Sequence, residues 1–240
     1  MDLEATRGKD HPQAAMILVS MSAALRKQGK VQAALDLANR ALRSFEATGV
    51  ARPFVADALS AIGNAETELG NLDAALAAHR AALAIYKEVF GAEHEAVGTS
   101  LEGLGDVFLR RGEFAEALDH HARALAVRER TQGADFIDNT FALSGIGEAH
   151  LMLGDPALAI PPLERAQALL ERRHVLPALL ARVRFQLARA SWDARQGRDH
   201  QGGDRALRLA ARAEEGFRSL ATPVGDADAT RVGAWVASHD

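Results

Sequence analysis

Nine histidines and a scatter of carboxylates are the side chains of this sequence with chemistry to offer. Zinc would need three or four ligands converging on one point. His120 and His121 are adjacent, so on a helix they face different directions. His79 and His121 stand far apart in the chain, at matching places in a recurring pattern. No third ligand stands at a metal-binding spacing, so packing or surface roles are expected. Glu102 and Asp106 are four residues apart and share one helical face. Such a pair could divide acid and base roles. No nucleophile or metal motif accompanies it, and no glycine-rich phosphate loop or kinase catalytic motif is present. The chain has no cysteine, which removes thiolate chemistry, disulfides and thiolate metal sites. The expectation is a chain without catalytic residues, cofactor or metal.

Composition narrows the class. The 240 residues are 48% hydrophobic, enough to bury a core. Alanine and leucine dominate and β-branched residues are sparse, which favours helix. A net charge of −4 argues against nucleic-acid binding. The opening MDLEATRGKD has no apolar leader, and the longest early apolar run, Ala14 to Val19, is far too short to cross a bilayer. A cytoplasmic protein without a membrane partner is expected.

The elements that must position these side chains follow a beat. Gly29, Gly70, Gly112 and Gly154 each separate two apolar helical patterns and recur at an almost constant interval. Gly63, Gly105 and Gly147 precede three of them by seven residues. Ala34, Ala75, Ala117 and Ala159 follow by five, and Ala41, Ala82, Ala124 and Ala166 by twelve. Small residues at fixed offsets mark a repeat of helix pairs, A then B, in which bulk is excluded where the helices cross. In repeat two, helix A carries Val55, Leu59, Ile62, Glu66 and Leu69 on one face and stops at Gly70-Asn71. Helix B carries Leu72, Ala75, Leu76, Ala82, Leu83 and Tyr86. Gly63, Gly105 and Gly147 are expected to face Ala75, Ala117 and Ala159. The repeats run approximately 11–50, 52–93, 94–135, 136–175 and 176–220, with polar residues Gln196 to Asp204 in the last A–B turn and a helix at Arg205 to Phe217. A proline–glycine break at 221–226 precedes a capping helix at approximately 226–239, with Asp226 or Asp228 as its cap.

These residues resemble the tetratricopeptide repeat: Leu59-x-x-Ile62-Gly63 with Ala75 and Ala82, and Leu101-x-x-Leu104-Gly105-x-x-Phe108 with Ala117 and Ala124. The long period, beyond that of the common repeat, and the connectors Gly91-Ala92-Glu93-His94 and Asp10-His11-Pro12 resemble the kinesin-light-chain-like subtype. Phe185-Gln186-Leu187-Ala188-Arg189-Ala190-x-Trp192-Asp193-Ala194 is similar to the end of repeat arrays attached to bacterial, particularly myxobacterial, Ser/Thr protein kinases. The resemblance implies an all-α right-handed superhelical solenoid of about eleven helices, a single repeat domain over 1–240. It further implies a scaffold that binds a protein or peptide in a concave groove, as the docking or sensor region of a bacterial signalling protein, with a kinase domain upstream as a candidate companion. A free-standing adaptor that self-associates or assembles a complex through its convex face is the alternative.

Carried over by repeat position, the groove would be lined by Asp57, Asn64 and Glu68, then Glu102, Asp106 and Arg110, then Phe141 and Glu148, then Arg182, Phe185, Arg189 and Trp192. Its middle is acidic and one end is aromatic. That pattern suits a peptide that is basic in its middle and anchored by an apolar side chain near Phe185 and Trp192; the alternative is that the C-terminal helices fold over these two rings and bury them, since a terminal repeat needs a cap. The Lys and Asn clamp by which some tetratricopeptide cochaperones hold a terminal carboxylate is matched only at Asn64, so chaperone-tail binding is not expected.

Overall fold

Every described element in the computed structural model is an α-helix. The structure describes residues 12–49, 52–173, 176–195 and 200–239. In chain order the helices are α1 (Pro12–Lys27), α2 (Val31–Thr48), α3 (Arg52–Leu69), α4 (Leu72–Phe90), α5 (Glu95–Arg111), α6 (Phe114–Gln132), α7 (Asn139–Leu153), α8 (Pro156–Arg173), α9 (Pro177–Asp193), α10 (His200–Arg218) and α11 (Pro223–Ala237). Among the described residues there is no strand.

The beat of glycines is a backbone requirement. Gly29, Gly70, Gly112 and Gly154 have φ of 76°, 84°, 78° and 83°, a left-handed conformation that turns one helix into the next. A Cβ on Gly70 would meet nothing within 4 Å, so the glycine is required by the turn and not by crowding. Gly70→Ala is expected to cost about 1 kcal/mol in a urea titration, and Gly70→Asn less, because Asn tolerates this conformation.

The chain divides into two compact units, residues 1–113 and 114–240. In the first unit, α1 pairs with α2 and α3 with α4, and α5 packs on α3 and α4. Its core is a series of small contacts: Ala41 and Phe45 of α2 meet Ala58 of α3, and Leu35 and Ala38 meet Ile62 and Ala65. In the second unit, α6 packs on α7, α7 pairs with α8, α9 with α10, and α11 closes on α10. One continuous core runs from Leu143 through Leu163, Leu170, Leu187 and Phe217 to Val232. Burying each such side chain contributes about 2 kcal/mol, offset by the entropy of ordering it.

Three expectations change in detail. A Cβ on Gly63 would strike the ring of His79 at 2.7 Å, and one on Gly147 would strike Leu163 at 2.5 Å. The residue facing these two glycines is therefore one helical turn beyond Ala75 and Ala159, because a long side chain reaches across the crossing that an alanine only borders. Helix α10 starts at His200, so residues 200–204 of the anticipated turn are helical, and Gln196–Asp199 lie outside the described residues. So do Asp10 and His11 of the first connector. The last helix begins at Pro223 and is capped by Thr222, whose hydroxyl accepts the Gly225 N–H at 3.0 Å, in place of Asp226 or Asp228. Proline at the first helical position sets the start earlier than charge alone suggests.

Candidate functional site

The A helices of the first unit present a polar face. Asp57 and Glu68 of α3 are exposed and Asn64 is half-buried between them. On α5, Glu102 is half-buried and Asp106 and Arg110 are exposed. Residues 102, 106 and 110 follow at the spacing of one helical stripe. Arg26 of α1 donates to Glu68 across adjacent A helices. That ion pair shows the stripe is continuous from α1 to α3. Exposed pairs of this kind contribute at most about 1 kcal/mol, so its value is positional.

Asp57 has a partner the sequence did not suggest. It accepts the hydroxyl of Tyr86 from α4. Burial and this carboxylate together hold the Tyr86 hydroxyl well above its usual range, so it stays a donor at any working pH. The contact fixes the carboxylate to the scaffold. Four carboxylates, Asp57, Glu68, Glu102 and Asp106, thus share the A-helix side of this unit with Arg26 and Arg110.

The second unit treats its equivalent face differently. Gln186 of α9 accepts from Ser144 at 2.8 Å and donates to Glu148 of α7 at 2.8 Å, while Arg189 approaches Glu148 at 3.4 Å. Glu148 is therefore held inside a polar network and is not offered as a bare acid. Glu148→Ala would leave the Gln186 amide nitrogen only its 3.5 Å bond to the Ser144 carbonyl and is expected to lower stability by about 1 kcal/mol, measured by thermal unfolding. Arg182 and Phe141 remain exposed.

The aromatic end is covered. Phe185 is 9% exposed and meets the edge of Trp235 of α11, with ring centroids 5.8 Å apart. Trp192 lies 5.9 Å from Trp235 and 4.7 Å from His239, with the Arg195 guanidinium 3.2 Å above its ring. Of the two expectations for this pair, the geometry is that of cover by the C-terminal helices: α11 lays Trp235 against both rings, with Phe185 buried and Trp192 half-buried. Capping of a terminal repeat pointed to such cover, but not to Trp235 as the residue that supplies it.

The histidines pack. His79 is 2% exposed and lies against Gly63 and Gly103, and neither ring nitrogen hydrogen bonds to a described residue. Burial pushes its pKa down to about 4. His121 is fully buried against Gly145. Among the described residues no three His, Asp or Glu converge as a metal site. None of their helices is long and apolar enough to cross a membrane.

Comparison with known proteins agrees with this architecture. The tetratricopeptide repeat family model matches residues 54–130 and 107–172. No curated protein matches the chain. Among solved structures, BtubC (BKLC) from P. vanneervenii is 19% identical with a TM-score of 0.71, covering 87% of this chain and 82% of its own. A putative kinesin light chain of Podosopora anserina with nearly identical TPR-like repeats is 17% identical at a TM-score of 0.66, covering 85% and 97%. A Rap protein complexed with Competence and Sporulation Factor is 17% identical at 0.68, covering 94% and 69%. At these identities the likeness is one of fold. With helix pairs and glycine turns recurring under the family-model match, this chain carries tetratricopeptide repeats across residues 54–172.

Proposed function

We propose that this chain is a non-catalytic scaffold that binds a protein or peptide partner along the A-helix face of its first unit. The observation that carries the reading is the acidic stripe of Asp57, Glu102 and Asp106, the first anchored by Tyr86, with Glu68 beside them paired to Arg26. Fixed carboxylates on a solvated face suit a partner segment rich in Lys or Arg, which adds charge-assisted hydrogen bonds and faster encounter. The second unit, with Glu148 neutralised and Phe185 covered, contributes less to recognition. The solved Rap complex supports peptide or protein recognition as a use of this fold, and the similarity to kinase-attached arrays supports a role as the docking or sensor region of a bacterial signalling protein.

Panning a random peptide display library on the immobilised chain tests the reading. Enrichment of Lys- and Arg-rich sequences that compete with one another is expected. Enrichment of acidic sequences, or none at all, would contradict it.

A further inference from the structure

The outer face of α1 is apolar and, among the described residues, uncovered. Met16, Ile17 and Met21 are 43%, 44% and 48% exposed. With Gln13, Ser20 and Ala24 they line a shallow groove of about 630 Å³. The spacing puts all six on one side of the helix. Leu18 is buried and Val19 half-buried in the core with α2, so the exposed stripe is the neighbouring one.

The repeat says what such a face is built to meet. Ile17, Met21 and Ala24 correspond, one repeat on, to Ala58, Ile62 and Ala65 of α3. Those three are buried, packed on Leu35, Ala38, Ala41 and Phe45 of the B helix α2. Ser100, Leu104 and Val107 hold the same places on α5, and Ala142 and Ala149 on α7. All are buried, and the B helices α4 and α6 pack on those A helices. On α3, α5 and α7 alike, this side of an A helix is the seat of a B helix. Helix α1 presents the same seat with no described helix on it. An exposed apolar patch of this character marks an interaction site.

We propose that the α1 face docks an amphipathic helix of a partner protein whose apolar stripe has the B-helix pattern. The internal interface fixes that chemistry. Its pattern is Leu-x-x-Ala-x-x-Ala-x-x-x-Phe, read from Leu35 to Phe45 of α2. One position must differ. Ile17 is bulkier than Ala58, Ser100 and Ala142, and a helix with Phe in the place of Phe45 would overpack it. Leucine there restores the volume. A separate helix is also free to settle further out, on methionines that adapt to it. Charge sets the direction. The short α2–α3 connection makes those helices antiparallel, so the partner's first turn falls beside the last turn of α1. Arg26 and Lys27 lie in that turn, and Lys27 and Lys30 are exposed. An acidic first turn on the partner suits them and its own helix dipole. A 16-residue helix is roughly 24 Å long, so the contact lies below the standard interface size, with a Kd on the order of 100 μM.

The probe is a peptide copying α2, Val31–Thr48, with Gln32→Glu and Phe45→Leu. The readout is the methionine methyl NMR spectrum of the full chain, in which Met16 and Met21 report on this face and Met152 on the second unit. The Met16 and Met21 lines are expected to shift saturably while the Met152 line stays in place. Met21→Glu, at an exposed position, is expected to keep its helical circular dichroism. It is expected to bind at least about tenfold more weakly by the Met16 line, because the docked helix would bury the new charge. No shift at about 1 mM peptide, an equal shift of Met152, or an unchanged titration in Met21→Glu would overturn the proposal. So would lines of Met16 and Met21 that move with protein concentration alone, which means a second copy on the face. Lines already shielded from a soluble paramagnetic agent in the free chain would overturn it too, since the chain's own residues then cover the face. Peptide binding by the acidic stripe of α3 and α5 is a separate property and does not depend on this result.

Discussion

Stability is expected to fall as pH drops from about 6.5 to about 4, and His79→Leu is expected to remove that part of the loss. His79 is buried between Gly63 and Gly103, and burial pushes its pKa from 6.5 to about 4. The folded chain therefore holds a neutral ring where the unfolded chain is protonated. Between these two values the unfolded state binds the extra proton, so stability is fully present above pH 6.5 and declines towards pH 4. A shift of this size corresponds to roughly 3 kcal/mol at pH 4. Leucine is the informative replacement because Leu163 holds the corresponding place against Gly147 two repeats on. His79→Leu is thus expected to be tolerated above the unfolded pKa and to gain on wild type near the folded one. Urea titrations on either side of the window measure it, and identical pH slopes for the two proteins would refute the assignment. The socket constrains the glycine side as well. A Cβ on Gly103 would overlap the His79 ring, which Gly63 confines from the other side, so Gly103→Val is expected to cost about 3 kcal/mol or more.

Trp235→Ala should destabilise the second unit by about 2–4 kcal/mol. Trp235 joins Phe185, Trp192 and His239, the last stacked on its ring at 4.2 Å. Truncation opens a gap over Phe185 and removes two edge contacts, each contributing beyond area burial. The chain has only two tryptophans and both are in this cluster, so fluorescence excited selectively at tryptophan follows the second unit alone. Guanidinium unfolding watched by fluorescence should move to lower denaturant in Trp235→Phe, and further in Phe185→Ala, which leaves both tryptophans as reporters. An unchanged midpoint in both would show that α11 does not hold this end of the core.

Much of the fold was legible because its signals are local. A left-handed turn demands glycine, and Gly29, Gly70, Gly112 and Gly154 announce four such turns at a regular interval. Apolar spacing placed the helices between them. The misses are tertiary. Whether Ala75 or His79 meets Gly63 depends on how far a side chain reaches across a crossing, which spacing does not encode. Thr222 outcompeted Asp226 as a cap because Pro223 starts the helix earlier. At the candidate site, the identity of the A-helix stripe followed from repeat position. Its electrostatics did not: Glu148 is met by Gln186 and Arg189 from the following A helix, and Asp57 by Tyr86 from α4. That a C-terminal helix would cover Phe185 followed from the need to cap the last repeat; that Trp235 does it did not, because no periodicity describes that helix's approach.

The central claim is that the stripe on α3 and α5 recognises a basic segment. The most direct measurement is a fluorescence-anisotropy titration of a labelled peptide enriched by panning, against wild type and Glu102→Lys/Asp106→Lys. Both positions reach solvent, so the fold should survive the change. The account predicts a Kd at least about tenfold weaker for the double variant, with the difference shrinking as salt rises. Equal affinity for the two proteins would contradict it and move recognition off this face.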